Sequence, residues 1–186
     1  MSTTAKFTLD EYERIVQSGA LDKRRLELIR GEIREMGPIG PEHEDVVDQL
    51  TDWSTQEAVK KKVRLRVQNS IGLPGLETAP QPDIVWVARG RYRRARPAAQ
   101  DVLLLIEVAD SSLDDDRGEK LELYAMAGIA EYWIANLIEK CIEVYRDPEG
   151  EHYRSVRVCR GDEEVRPLAL PDVGLRPSAL FEEGTP

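Results

Sequence analysis

The feature of the sequence that most constrains the fold is an apolar run that contains a glutamate. Residues 101–109 read DVLLLIEVA, without the alternation of apolar and polar residues that marks a strand with one solvated face. This pattern predicts a central β-strand that is buried on both faces. Glu107 lies near the C-terminal end of that strand, where an ionised carboxylate is costly unless it is paired or binds a metal ion. The strand therefore predicts a site at its end.

A second carboxylate stands at the start of another predicted strand. Residues 83–88, DIVWVA, are typical of a strand and follow Pro82. If the two strands are antiparallel neighbours, the start of one lies beside the end of the other, and Asp83 meets Glu107. The sequence between the two acids leaves room for such a hairpin, with arginines at its far tip.

The two carboxylates predict a cation site, because carboxylates held close together repel each other unless a cation lies between them. Oxygen ligands on a rigid sheet edge, with positions left for water, suit Mg²⁺ or Mn²⁺. Such an ion can activate water and stabilise charge on a phosphate. Asp83 and Glu107 are therefore candidate metal ligands, and the backbone carbonyl of Val108 is a candidate further ligand.

A lysine near the carboxylates would stabilise charge and orient a water molecule. The residue two positions after Glu107 is Ala109, which can do neither. The nearest candidate is Lys120, on a helix predicted from Asp114 to Ala127 and one turn after Asp116. Two interpretations stay open for Lys120: a group of the site, or a solvated helix lysine paired with Asp116.

The remaining pattern predicts a mixed α/β sheet with helices packed against it. A helix over residues 8–18 has Thr8 and Glu11 in the positions of a capping box. A hairpin is predicted over residues 26–36 with its turn at Arg30-Gly31. The other predicted elements are the longest amphipathic helix over residues 42–61, a strand in residues 63–73 and three strands in residues 131–136, 141–147 and 153–160.

The charge balance argues mildly against a generic nucleic-acid coat protein, since 26 basic and 35 acidic residues give a net charge of −9. The basic residues are nevertheless clustered, in one run over residues 60–66 and another over residues 89–96. The second run is either a solvated hairpin tip or a surface that contacts phosphates without reading sequence.

The sequence contains no apolar run near the roughly 18 residues of a membrane span. The N-terminal residues lack the long apolar stretch of a signal peptide. We therefore expect a cytoplasmic protein with no membrane partner.

Several pieces of the chain together resemble a known family. These pieces are LELIRGEI (26–33), GPEHE (40–44), PDIVWV (82–87), the segment 104–134 and ALPDVGL (169–175). They make the chain similar to the PD-(D/E)XK nuclease superfamily, and more closely to the Uma-type family of predicted restriction endonucleases, formerly a domain of unknown function. The resemblance implies one restriction-endonuclease-like domain over residues 1–186, with a central mixed β-sheet flanked by helices.

The resemblance also implies roles for particular residues. The usual metal carboxylates correspond to Asp83 and Glu107, and the lysine that such families move from the strand to the next helix corresponds to Lys120. Glu27 is implied as an additional carboxylate of the site, although its strand pattern equally fits an exposed position. Ala109 departs from the superfamily pattern, which has a lysine there.

Two functions follow from the resemblance. The first is a metal-dependent endonuclease that hydrolyses phosphodiester bonds of nucleic acid, expected to be DNA, with Mg²⁺ or Mn²⁺ and as a homodimer. The alternative is a non-catalytic nucleic-acid-binding or assembly module that retains the nuclease fold. For His43 and Tyr124, a structural role is the expectation, with a role in the site as the alternative.

Overall fold

The fold is organised around a mixed β-sheet. The computed structural model describes residues 4–21, 24–57 and 63–182. Its helices are α1 (Leu9–Gln17), α2 (Pro41–Glu57), α3 (Leu113–Arg117), α4 (Glu119–Met126) and α5 (Ser178–Phe181). Its strands are β1 (Leu26–Ile29), β2 (Glu32–Glu35), β3 (Val63–Val67), β4 (Ile84–Ala88), β5 (Val102–Ala109), β6 (Glu131–Asn136), β7 (Cys141–Glu149) and β8 (His152–Arg160).

Six strands form the main sheet in the order β3-β4-β5-β6-β7-β8, and β1 and β2 form a separate hairpin. All neighbouring strands in the main sheet are antiparallel except β5 and β6, which are parallel. The segment between those two contains α3 and α4, as a parallel connection requires. The predicted class, a mixed sheet flanked by helices, is confirmed.

The central strand β5 is buried on both faces, as its apolar sequence predicts. Leu104 and Ile106 pack in the cluster that contains Leu50 of α2. Leu105, on the opposite face, packs in the cluster that contains Tyr124 of α4. Helices therefore cover both sides of β5, and its C-terminal end is the place where an acid is desolvated.

The N-terminal part confirms two predictions made from local signals. Thr8 caps α1, and the side chain of Glu11 bonds back to the cap in a complete capping box. The β1–β2 turn has φ angles of 48° at Arg30 and 82° at Gly31, the left-handed geometry that tight hairpin turns favour. Leu28 of the hairpin pairs with Ala79, in the segment before β4, so β1 lies close to the start of that strand.

One predicted boundary is wrong, and another lies outside the described residues. The strand predicted in residues 63–73 ends at Val67, because Gln68 adopts a left-handed φ of 46°. The end of the helix predicted over residues 42–61 lies outside the described residues. Among the residues that are described, no helix is long and apolar enough to cross a membrane.

The helix predicted from Asp114 to Ala127 is also wrong as one element, because it is divided at Gly118 into α3 and α4. A Cβ atom at Gly118 would lie 2.9 Å from the backbone oxygen of Asp114. That carbonyl cannot move without distorting α3. The break sets the direction of α4, and with it the position of Lys120.

We predict that Gly118→Ala lowers the free energy of unfolding by about 1–3 kcal/mol, since the added methyl group collides with backbone rather than with a flexible side chain. Urea denaturation provides the measurement. Gly75→Ala is the matched control, because a Cβ atom there meets nothing within 4 Å. Equal stability of the two variants would contradict this account of the break.

Candidate active site

The antiparallel pairing of β4 and β5 brings two carboxylates together at one end of the sheet. Ile84 lies opposite Ile106, so the residues just outside this pair, Asp83 and Glu107, are neighbours. The backbone N–H of Asp83 donates to Oε2 of Glu107 at 3.2 Å. The N–H of Val108 donates to Oδ2 of Asp83 at 2.9 Å. Each carboxylate thus accepts a backbone hydrogen bond from the strand that carries the other.

Two further side chains bind Asp83. Nε2 of His43, in the first turn of α2, lies 3.2 Å from Oδ1 of Asp83. Gln68 donates to the same oxygen at 3.1 Å. Burial by itself would raise the pKa of Asp83, but His43, the N–H of Val108 and Gln68 together lower it below its ordinary value. Asp83 is therefore held as a carboxylate although it is buried.

Lys120 reaches back from α4 to the same end of the sheet. Its Nζ lies 3.2 Å from Oε1 of Glu107 and 2.9 Å from Oδ1 of Asp116. Asp116 is buried, and its other oxygen accepts a hydrogen bond from Ser112 at 2.6 Å. Lys120 is not a solvated lysine, because only 17% of its side chain is exposed; its ammonium pairs with Asp116 and also touches Glu107.

Glu107 is almost completely buried, with 2% of its surface exposed. Burial raises its pKa to about 8; Lys120 opposes that shift, while the carboxylates of Asp116 and Asp83 add to it. The hydroxyl of Tyr124 donates to Oε1 of Glu107 at 2.7 Å and also works against the rise. The pKa of Lys120 is raised by the carboxylates around it, although burial alone would lower it.

A cleft of about 410 Å³ lies between the β1–β2 hairpin, the start of α2 and the start of α4, and it is lined by His43, Asp83, Glu107, Asp116 and Lys120. Glu27 of β1 lies on its wall and is close enough to Lys120 to contribute to the raised pKa of that lysine. Arg34 of β2 also lines the cleft, and its Nη2 lies 3.3 Å from Oε1 of Glu119. The four predicted side chains, from Glu27, Asp83, Glu107 and Lys120, therefore lie in one cleft.

The donor set suits a hard divalent cation more than a soft one, since it consists of carboxylate oxygens. Oδ2 of Asp83 and Oε2 of Glu107 each accept one backbone hydrogen bond, which leaves lone pairs for a cation. A cation there would also relieve the repulsion that raises the pKa of Glu107. Within residues 4–21, 24–57 and 63–182, no three His, Cys, Asp or Glu side chains form a metal-binding cluster. Main-chain or water oxygens would have to complete the ligand set.

Sequence reasoning missed part of the constellation. The sequence predicts structural roles for His43 and Tyr124, yet each contacts a site carboxylate. Gln68 has no recognisable signal in the sequence. It contacts Asp83 only because its own backbone, just after β3, adopts a left-handed conformation. For His43, the position of a histidine at the start of the long helix is the one signal in the sequence that indicates a role in the site.

The arginine run lies at the other end of the β4–β5 hairpin. Residues 89–96 follow the last residue of β4, whereas Asp83 precedes its first. None of these arginines lines the carboxylate cleft. A second cleft, which Arg93, Arg94 and Arg96 help to form against α1, lies beside them. The predicted tip position is confirmed, and phosphate contact stays a prediction.

Comparison with known proteins links this geometry to a family. The profile of the Uma2 family, described as "Putative restriction endonuclease", matches residues 9–178. No curated protein sequence matches significantly. A similar solved structure is that of a "putative nuclease belonging to DUF820" from Anabaena variabilis, with a TM-score of 0.74 and 18% identity over 94% of this chain and 97% of that one. At that identity the likeness establishes the fold alone.

We predict that Glu107→Gln removes a loss of stability that the parent protein suffers as pH rises. Because the folded-state pKa of Glu107 is about 8 and its ordinary value is 4.5, the unfolded state ionises first and the folded state binds more protons between those values. The stability of the parent therefore falls across that interval. Across that interval, the unfolding free energy of the variant minus that of the parent should rise by more than about 1 kcal/mol.

The measurement is chemical denaturation in chelator-containing buffer at several pH values from about 4.5 to about 9. Only the change with pH matters, because the variant also loses an ion pair with Lys120. Parallel pH profiles for the two proteins would show that Glu107 is not perturbed in this way.

Proposed function

We propose, from the premise that the chain belongs to the Uma2 family, that it is a metal-dependent endonuclease that hydrolyses phosphodiester bonds in DNA. One observation carries the proposal: the ammonium of Lys120 lies against Glu107, which shares hydrogen bonds with Asp83, in an open cleft. Two carboxylates and an amine at one point supply the charges that phosphodiester hydrolysis needs.

The carboxylates of Asp83 and Glu107, with the carbonyl of Val108, would hold Mg²⁺ or Mn²⁺. When bound, that ion supplies activation of a water molecule and stabilisation of negative charge on the phosphate. The protein fixes the two carboxylates before any ligand arrives, because backbone N–H groups already orient one oxygen of each. Little reorganisation is then needed when substrate binds.

Lys120 takes the place of the lysine that the superfamily pattern has at the strand position occupied here by Ala109. Its raised pKa keeps the amine protonated, so it acts as a cation that donates hydrogen bonds to a phosphate oxygen and orients the attacking water, not as a base. Asp116 positions the amine by pairing with it at 2.9 Å. Glu27, on the cleft wall, would assist as a further carboxylate acceptor.

The test is cleavage of duplex DNA with Mg²⁺ or Mn²⁺. Asp83→Asn and Glu107→Gln should each reduce the rate by about a thousandfold or more, and Lys120→Met by about a hundredfold or more, since each removes a charge from the reacting centre. Asp114→Asn is the matched control: its carboxylate is exposed on the same connecting segment and does not line the cleft.

The control variant should cut at the parental rate. If the site variants cut DNA as fast as the parent and the control, the assignment of Asp83, Glu107 and Lys120 is wrong. Circular dichroism and denaturation of each variant separate a lost activity from a lost fold.

One observation favours the alternative, a non-catalytic nucleic-acid-binding or assembly module. Ala109, which is fully buried, leaves no strand lysine, and the amine of Lys120 is already paired with two carboxylates. Under this alternative, the ion pairs of Lys120 with Glu107 and Asp116 only stabilise the fold. The two functions differ in their affinity for metal.

We expect calorimetry to detect Mg²⁺ or Mn²⁺ binding to the parent, and at least a tenfold weaker affinity in Glu107→Gln, because a carboxylate ligand is lost. The Asp114→Asn variant should bind as the parent does. Binding that is absent from the parent, or unchanged in Glu107→Gln, would favour the non-catalytic module.

A further inference from the structure

Unpaired arginines are concentrated in one place on this acidic protein. Most lysines and arginines in the described ranges pair with a carboxylate. Those without such a partner among the described residues include a group that we call the arginine surface: Arg64, Arg66, Arg89, Arg91, Arg93 and Arg94. Elsewhere in those ranges only Arg14, Arg25, Arg157 and Arg176 lack one.

The register of the sheet assembles this surface from two separate segments. Arg64 lies opposite Val87, and Arg66 opposite Val85, on the edge strand β3. The loop after β4 returns beside them, because Tyr92 donates its hydroxyl to the carbonyl of Ala88 at 2.7 Å. The guanidinium of Arg66 then lies 5.9 Å from the centre of the Tyr92 ring. A tyrosine thus holds the loop arginines next to those of β3.

The positive charges on this surface are not neutralised within the described part of the protein. Partial burial lowers the pKa of Arg66, and the nearby guanidinium groups of Arg96 and Arg64 lower it further. Arg96 is bound by Glu13 of α1, which leaves the exposed Arg91, Arg93 and Arg94 without an acid of their own. Mutual repulsion of like charges is tolerated at a surface when an anionic partner relieves it.

We infer that the arginine surface binds the phosphate backbone of DNA at a position remote from the carboxylate cleft. The choice of partner rests on the proposed endonuclease function. The five residues of β4 separate Asp83 from the loop arginines of this surface, Arg89, Arg91, Arg93 and Arg94, and at about 3.3 Å per residue this is about 16 Å. Successive phosphates of one strand are about 3.4 Å apart along the duplex axis, so the loop arginines lie about five nucleotides from the cleft.

This placement assigns different tasks to the two ends of one hairpin. The arginine surface supplies attraction without reading bases, because arginines meet phosphates whatever the sequence. The cleft supplies the chemistry. An acidic protein could then hold a polyanion close to a buried carboxylate group that would otherwise repel it.

The experiment compares two triple variants that remove the same number of positive charges. One is Arg91→Gln/Arg93→Gln/Arg94→Gln in the arginine surface. The matched control is Arg154→Gln/Arg157→Gln/Arg176→Gln, at exposed arginines on β8 and before α5. Binding to a fluorescent DNA duplex of about three helical turns is measured in EDTA, between about 50 and 200 mM salt.

The expected result is at least a tenfold loss of affinity at the lowest salt for the surface variant, with the slope of log K against log salt smaller by about 3. The control should keep the parental slope. Equal losses in both variants would show a general charge effect and overturn the inference. Unchanged DNA binding by the surface variant would also overturn it. In a parallel assay with vesicles that contain anionic lipid, a loss of vesicle binding without a loss of DNA binding would overturn it as well.

The outcome is distinguishable from a failure of the proposed function. Binding in EDTA requires no metal and no cleavage, whereas the function is tested by cutting with Mg²⁺. A parent that binds through the arginine surface but never cuts DNA would overturn the endonuclease alone. A surface variant that binds normally, beside an inactive Asp83→Asn, would overturn this inference alone.

Discussion

The rest of the site depends on the reciprocal hydrogen bonds between two strand ends. Asp83 and Glu107 each accept a backbone N–H from the opposite strand segment, so neither carboxylate can turn away without leaving a buried donor unpaired. The antiparallel register of β4 and β5 makes this exchange possible. Burial of the sheet on both faces then removes water from the carboxylates, and every other polar contact at this end compensates for that loss.

Three side chains from two helices, α2 and α4, provide much of this compensation. His43 approaches Asp83 from α2, Lys120 approaches Glu107 from α4, and Tyr124 binds the same carboxylate one turn later. The pKa values of the two acids shift in opposite directions as a result: the pKa of Asp83 is lowered, whereas that of Glu107 is raised. Strongly perturbed pKa values cluster at functional sites, and two neighbouring acids whose pKa values are pushed apart support the proposed site.

The sequence predicts these features as far as they follow from local patterns. The unbroken apolar run of β5 and the Pro82-Asp83 start of β4 suffice to predict that the two acids meet. The four-residue spacing suffices to predict that Lys120 pairs with Asp116, although the two residues lie on separate helices, α4 and α3. The division at Gly118 could not be predicted, because it depends on a clash with the carbonyl of Asp114 rather than on propensity. The contact of Gln68 with Asp83 joins segments that only the folded sheet brings together.

Charge explains why the two ends of the β4–β5 hairpin differ. The cleft carries several buried acids, and of the two arginines that line it, Arg25 and Arg34, the second is bound to Glu119, so acidic groups dominate the charge of the site. A chain with a net charge of −9 needs a local excess of positive charge to bring DNA near such a site. The antiparallel connection between β4 and β5 must turn at the opposite end of the sheet, and arginines placed in that turn lie at a fixed distance from the acids. If the chain binds DNA as proposed, the geometry that joins Asp83 to Glu107 would also fix where the phosphate backbone runs.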